Sequence, residues 1–239
     1  MTTCGTLTRS GRPGRATFAD RETSYLYDPN QVVETGIAKL TSDMRKHKLA
    51  QRAQKDTGIW QTICLTLHQH FQGDIQRLLM EGKYNAPRIL NLIRSKRYRF
   101  PYLKGDKIGP LWLRMLQDSW QGRQFTGMEE LPIAVDVHIA AGTVMTGCVR
   151  GSFEGTFKEL REAIVQVWFD ACRDREYYPL QFDEPLWHLS RRGCRDTPLF
   201  PCVHRASCPV AEFCTSTSVQ MDYGAASGIK PVRFVAWGK

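Results

Sequence analysis

Long apolar runs are missing from this chain. No stretch approaches the roughly 20 consecutive apolar residues that a membrane-spanning helix requires, so the sequence offers no span. Met1 to Asp20 has no apolar core of the kind a secretory leader carries, which sets the expectation of a cytoplasmic, nucleoid-associated protein. Alternation of apolar and polar residues is scarce, and only Val232 to Trp237 reads as a strand. Nothing repeats at a period of about 20–50 residues, which excludes solenoids and propellers. Acidic residues are also in deficit. The 24 Asp and Glu face 33 Lys and Arg, leaving a formal net charge of +9. That excess predisposes the chain towards polyanions without choosing among nucleic acid, anionic membrane and acidic partners.

What is present is helical pattern and cysteine. The 239 residues, 42% of them hydrophobic, suit one large domain or two small ones sharing a core. Met1 to Asp20 is rich in Gly, Thr and Arg without periodicity and reads as a flexible basic arm, in which Ser10 to Arg15 can lie in a minor groove or do nothing specific. Arg45, Lys46, Lys48, Arg52 and Lys55 fall on a helix expected over 41–55, as a solvated face or a phosphate-facing one. Ile59, Ile63 and Leu67, with Trp60, Cys64 and Phe71, form a buried helical stripe. His68 and His70, two apart, point to different helix faces and share no metal. Asn85 can cap a helix with Pro87 in its first turn, ending before Pro101. Thr156 and Glu159 form a capping box before the stripe Leu160, Ile164, Val167, Trp168. The fold class is all-α.

Three features carry chemistry. Residues 100–116 hold Lys104, Gly105, Lys107 and Gly109 in a tight connection, with Pro110 placed to open a new helix. Amides at such a helix start are an anion site, and the lysines add charge beside it. The plain alternative is a helical turn. Asp136, in Leu-Pro-Ile-Ala-Val-Asp-Val-His-Ile, is a carboxylate that can cap the helix beginning near Val137, act on a substrate, or do both. His138 reads as a packing or helix-start residue, not as a base. Cys194, Cys202, Cys208 and Cys214 stand in a C-x7-C-x5-C-x5-C array. Four thiolates so close suit a four-iron cluster or a zinc ion, the latter with His204 as a substitute ligand. Cys4, Cys64, Cys148 and Cys172 are scattered and read as structural.

These features, in this order, resemble the helix-hairpin-helix (endonuclease III-like) DNA glycosylase superfamily, over about residues 57–216. There a Leu-Pro-Gly-Val-Gly turn holds a DNA phosphate, often with a monovalent cation; here Leu103 and Gly109 bracket a longer connection. A Val-Asp-x-His-Ile-like segment follows, whose Asp is catalytic, and then a C-x6-C-x2-C-x5-C loop ligating a [4Fe–4S] cluster. The resemblance implies two helical lobes with double-stranded DNA in the cleft between them. One lobe is 57–133 with the hairpin; the other is 21–56 plus 134–216 with the cluster loop; 217–239 is a C-terminal extension. It implies a monomeric base-excision repair enzyme that hydrolyses the N-glycosidic bond of a flipped damaged or mismatched base, with Asp136 catalytic. Bifunctional members carry a nucleophilic Lys two residues after the second glycine. That position is Leu111 here, so the expectation is a monofunctional enzyme. Lys104 or Lys107 as a lyase nucleophile, and a non-catalytic iron–sulfur DNA-binding module, are the alternatives. Gln69 and Gln72 are candidates for filling the gap left by the flipped base. The identity of that base is not legible.

Overall fold

The structure is a computed structural model that describes residues 11–119, 124–194, 202–215 and 232–236. Cys4, the start of the N-terminal arm and most of the C-terminal extension lie outside the described residues. The all-α class holds: helices dominate, and among the described residues the only sheet is one two-stranded ribbon. No helix among them is long and apolar enough to cross a membrane. The chain forms two compact units, 1–104 and 105–239, dividing inside the segment read as the hairpin.

The first unit contains α1 (Gly11–Ala19), α2 (Pro29–Glu34), α3 (Ile37–Lys46), α4 (Ala53–Phe71), α5 (Ile75–Glu81) and α6 (Ala86–Arg94). The stretch read as a flexible arm is therefore helical from Gly11. Its sequence is a poor helix former, and tertiary contacts hold it. Tyr27 Oη donates to the Gly14 carbonyl at 2.8 Å, Thr23 Oγ1 donates to the Thr17 carbonyl at 2.8 Å, and Phe18 meets Tyr27 edge to face. The single helix expected over 41–55 is broken. Between α3 and α4, Lys48 adopts φ 57°, a left-handed turn that lets α3 fold back against α4. Leu26, Val32, Leu40, Met44 and Cys64 make the core of this junction. Burial pushes the Cys64 thiol up to about 12, consistent with a structural role. Asn85 caps α6 as read, accepting from Arg88 N at 3.2 Å, and α6 ends well before Pro101.

The second unit contains α7 (Ile108–Ser119), α8 (Val137–Met145), α9 (Phe157–Cys172) and α10 (Asp183–Arg192). Strand β1 (Gly151–Gly155) pairs antiparallel with β2 (Val232–Ala236), Gly151 opposite Ala236. The strand read at 232 is thus present, and its partner β1 had no sequence signature. The capping box of α9 is complete: Thr156 N donates to Glu159 Oε2 at 2.7 Å and Glu159 N to Thr156 Oγ1 at 3.2 Å. Ile139, Ala140 and Val144 of α8 pack with Leu160, Ile164 and Trp168 of α9, Leu186 of α10 and Val232 of β2. Inside this core Trp168 Nε1 donates to Thr143 Oγ1 at 3.0 Å, satisfying two otherwise buried polar groups. Gly142 lets α10 approach α8, since a Cβ there would stand 3.2 Å from the Leu186 carbonyl oxygen.

Candidate functional site

Asp136 sits at the N-cap of α8, with extended backbone (φ −125°, ψ −174°). Oδ1 accepts from His138 N at 2.9 Å and from Ile139 N at 3.0 Å. The structural role open to this carboxylate is therefore real: it satisfies two amides that α8 cannot pair internally. Its other oxygen faces away from that task. Lys107 Nζ donates to Oδ2 at 2.9 Å, with the side chains of Lys107 and Asp136 38% and 20% exposed. The carboxylate is thus fixed on three sides, still reachable from solvent, and in contact with an ammonium group. Helix position and spacing indicate the cap, whereas the lysine contact depends on how the start of α7 packs beside the start of α8.

In the segment read as the hairpin, Gly105 is exposed. Gly109 is buried in the first turn of α7, and its amide donates to the Gly105 carbonyl at 3.2 Å. Its φ is not positive; the left-handed residue of the segment is Tyr102, at φ 68°. Arg161 of α9 reaches Asp106 at 3.9 Å, so 105–107 is tied to both α8 and α9. Lys104, in the first unit, donates through Nζ to the Ser95 carbonyl at 3.2 Å. Leu111 is half-buried within α7. His138 is buried, its Nδ1 3.3 Å from Ser190 Oγ and its ring edge-on to Trp187, the packing role expected of it. Gln69 and Gln72 lie at the C-terminal end of α4, where Gln72 closes the helix at φ 55°.

Sequence reasoning missed a buried ion pair in the same unit. Arg114 Nε of α7 lies 2.8 Å from Asp183 Oδ1 at the start of α10, with side chains 12% and 9% exposed. The approach lacks hydrogen-bond alignment at both atoms. Burial pushes Asp183 up to about 6, against the opposing pull of Arg114. Arg114 also pairs with Asp118 and with Glu184 at 3.2 Å, holding α7 onto α10.

The four candidate metal ligands are all partly buried and none is in a disulfide. Burial first, then the neighbouring Cys214, Cys208 and Cys202 thiols, push the Cys194 thiol up to about 11. The other three candidate thiols thus lie near enough to Cys194 to disfavour its ionisation. By ligand chemistry alone, four cysteines suit a four-iron cluster or zinc. Among the described residues no three His, Cys, Asp or Glu side chains converge on the position of one metal ion, His204 included. The loop is clipped to α8: Thr215 N donates to the Met145 carbonyl at 3.0 Å. Of the remaining cysteines, Cys148 is exposed and Cys172 half-buried.

No protein-family model, curated protein or solved structure matches this chain.

Proposed function

We propose that this chain is a DNA glycosylase of base-excision repair, acting on double-stranded DNA and hydrolysing the N-glycosidic bond of a flipped damaged or mismatched base. The observation that carries the reading is Asp136: a solvent-reachable carboxylate held by two amides of α8, with its second oxygen beside Lys107. Breaking a glycosidic bond builds positive charge on the deoxyribose, and a preorganised anion stabilises that charge. Water forms the new bond to C1′ as the C–N bond breaks, and the electron pair leaves with the base. Asp136 takes the proton that the water loses. The base must leave the helical stack before any side chain reaches its sugar. The net charge of +9 is compatible with a polyanion such as the duplex, and Lys104, Gly105, Lys107 and Gly109 make up the segment proposed to face its backbone, with a monovalent cation where the family carries one.

Cys194, Cys202, Cys208 and Cys214 would hold a [4Fe–4S] cluster, with zinc as the other occupant such a set accepts. Bound there, the group would tie the loop together, since glycosidic hydrolysis transfers no electrons. By the same resemblance the enzyme is monomeric and nucleoid-associated, with DNA between two helical lobes.

The Lys107–Asp136 contact supports a second reading, a bifunctional glycosylase/lyase. Lys107 Nζ would attack C1′ after giving a proton to Asp136, and the C–N electron pair would leave with the base; the C1′–O4′ bond would then break, a proton of the attached amine passing to O4′, to leave a Schiff base on the opened sugar. Lys104 has no such carboxylate contact among the described residues. Leu111, at the family's lysine position, keeps hydrolysis first. Incubating the chain with lesion-bearing duplexes, with and without Asp136→Asn, tests the proposal: excision by the parent chain alone supports it, and full activity in the variant overturns it.

A further inference from the structure

We infer that the first unit carries a binding groove for a nucleotide of single-stranded nucleic acid, where α4 meets residues 99–104. Two clefts adjoin there, each about 450 Å³, and they share Ile59 and Pro101 as a common wall. Their linings differ in kind. The first carries Lys55, Arg99 and Lys104 and no carboxylate. All three cations are exposed, and none is paired with an acid among the described residues. The second is mostly apolar and aromatic, lined in part by Trp60, whose Nε1 donates to the Leu26 carbonyl at 2.8 Å. Its one acid, Asp56, is occupied by the amides of Gln51 and Arg52 and by the Arg52 side chain. A cationic cleft beside an aromatic one matches the two ends of a nucleotide, phosphate and base.

Tyr102 stands at the rim of the aromatic cleft. The residue is 46% exposed, its backbone is left-handed at φ 68°, and Lys55 Nζ lies 5.6 Å from the centre of its ring, over the ring. A bulky residue at positive φ costs conformational energy that glycine would avoid. The conformation holds a partly exposed aromatic ring beside a cation, and an exposed ring of this kind is a surface on which an unpaired base stacks. Lys55 thus adjoins both clefts, and Tyr102 supplies the stacking surface.

This groove lies wholly in the first unit and does not depend on excision chemistry. The test is fluorescence anisotropy of the full chain with a labelled short oligothymidylate and with an abasic strand of the same length. The parent chain is expected to bind the base-bearing strand about tenfold more tightly. Tyr102→Phe keeps that preference. Tyr102→Gly erases it, while its thermal midpoint stays level or rises, because glycine accepts the left-handed backbone. Lys55→Ala weakens both strands alike and flattens the salt dependence by about one charge. Equal affinity of the parent chain for the two strands overturns the proposal. So does an intact preference in Tyr102→Gly, which would leave only unspecific polyanion binding.

Discussion

Thr215, directly after the last candidate ligand Cys214, closes on Met145: its amide donates to the Met145 carbonyl at 3.0 Å, and its hydroxyl reaches the same oxygen at 3.4 Å. Met145 ends the helix that Asp136 begins. One short helix therefore joins the cysteine loop to the candidate catalytic carboxylate, about 14 Å of rise apart.

That connection makes the cluster testable through structure as well as colour. Protein purified without oxygen should be brown and carry about four irons per chain. Cys208→Ser should lose the iron, lower the thermal midpoint, and raise amide hydrogen exchange at the end of α8, because metal-binding energy is coupled to folding. Colourless protein with one zinc would replace the cluster by the alternative occupant. Iron loss that leaves α8 exchange unchanged would break the proposed coupling.

The Arg114–Asp183 pair predicts a pH dependence. Asp183 is pushed up to about 6 in the fold from an ordinary value of 3.8. Between those values the native state holds a proton that the unfolded chain has released, so stability falls as pH rises from about 4 to about 6. The contribution is of order 3 kcal/mol. Denaturant titrations should show this fall in the parent chain and a flatter profile in Asp183→Asn. Parallel profiles would show that Arg114 fully offsets the burial.

Contact with Asp136 changes what Lys107 is expected to do on DNA. A lysine free to face phosphate would, as alanine, weaken all sequences alike and lower the salt slope by about one. Lys104, with no carboxylate partner among the described residues, should behave that way in Lys104→Ala. Lys107→Ala should instead leave the salt slope nearly unchanged and slow excision, because its charge is already partnered by Asp136. Affinity measured against salt, beside single-turnover excision, separates the two lysines.

What was legible was local. Asn85, Asp136 and Thr156 signal helix starts by side-chain chemistry within three residues of themselves, and all three cap as read. What was hidden depends on distant partners. Gly11 to Ala19 looks like an arm because its helicity rests on Tyr27 and Thr23. Gly151 to Gly155 holds no β-branched residue and becomes a strand only against 232–236. The turn at Lys48 uses a residue with no preference for positive φ. At the candidate site the residues were legible, while the Lys107–Asp136 contact depended on packing between two helix starts.

Asp136→Asn tests the catalytic assignment because asparagine keeps half of what the carboxylate does. Its carbonyl oxygen can still accept from His138 N and Ile139 N, so α8 should stay capped. Only the contact with Lys107 is lost, a partly exposed ion pair worth about 1 kcal/mol or less. Thermal unfolding should barely shift. Asp136→Ala, which removes the cap as well, should cost a further ~0.5–2 kcal/mol. Excision should respond to charge and not to the cap. Both variants should lose about a hundredfold to a thousandfold in single-turnover rate, the effect of removing a preorganised electrostatic contact. The parent chain's product should be an abasic site that breaks only in alkali. A covalent adduct trapped by borohydride, absent in Lys107→Ala, would transfer the assignment to the lyase reading. If the two Asp136 variants differ in stability as expected yet excise at the parent rate, the carboxylate is a helix cap and nothing more.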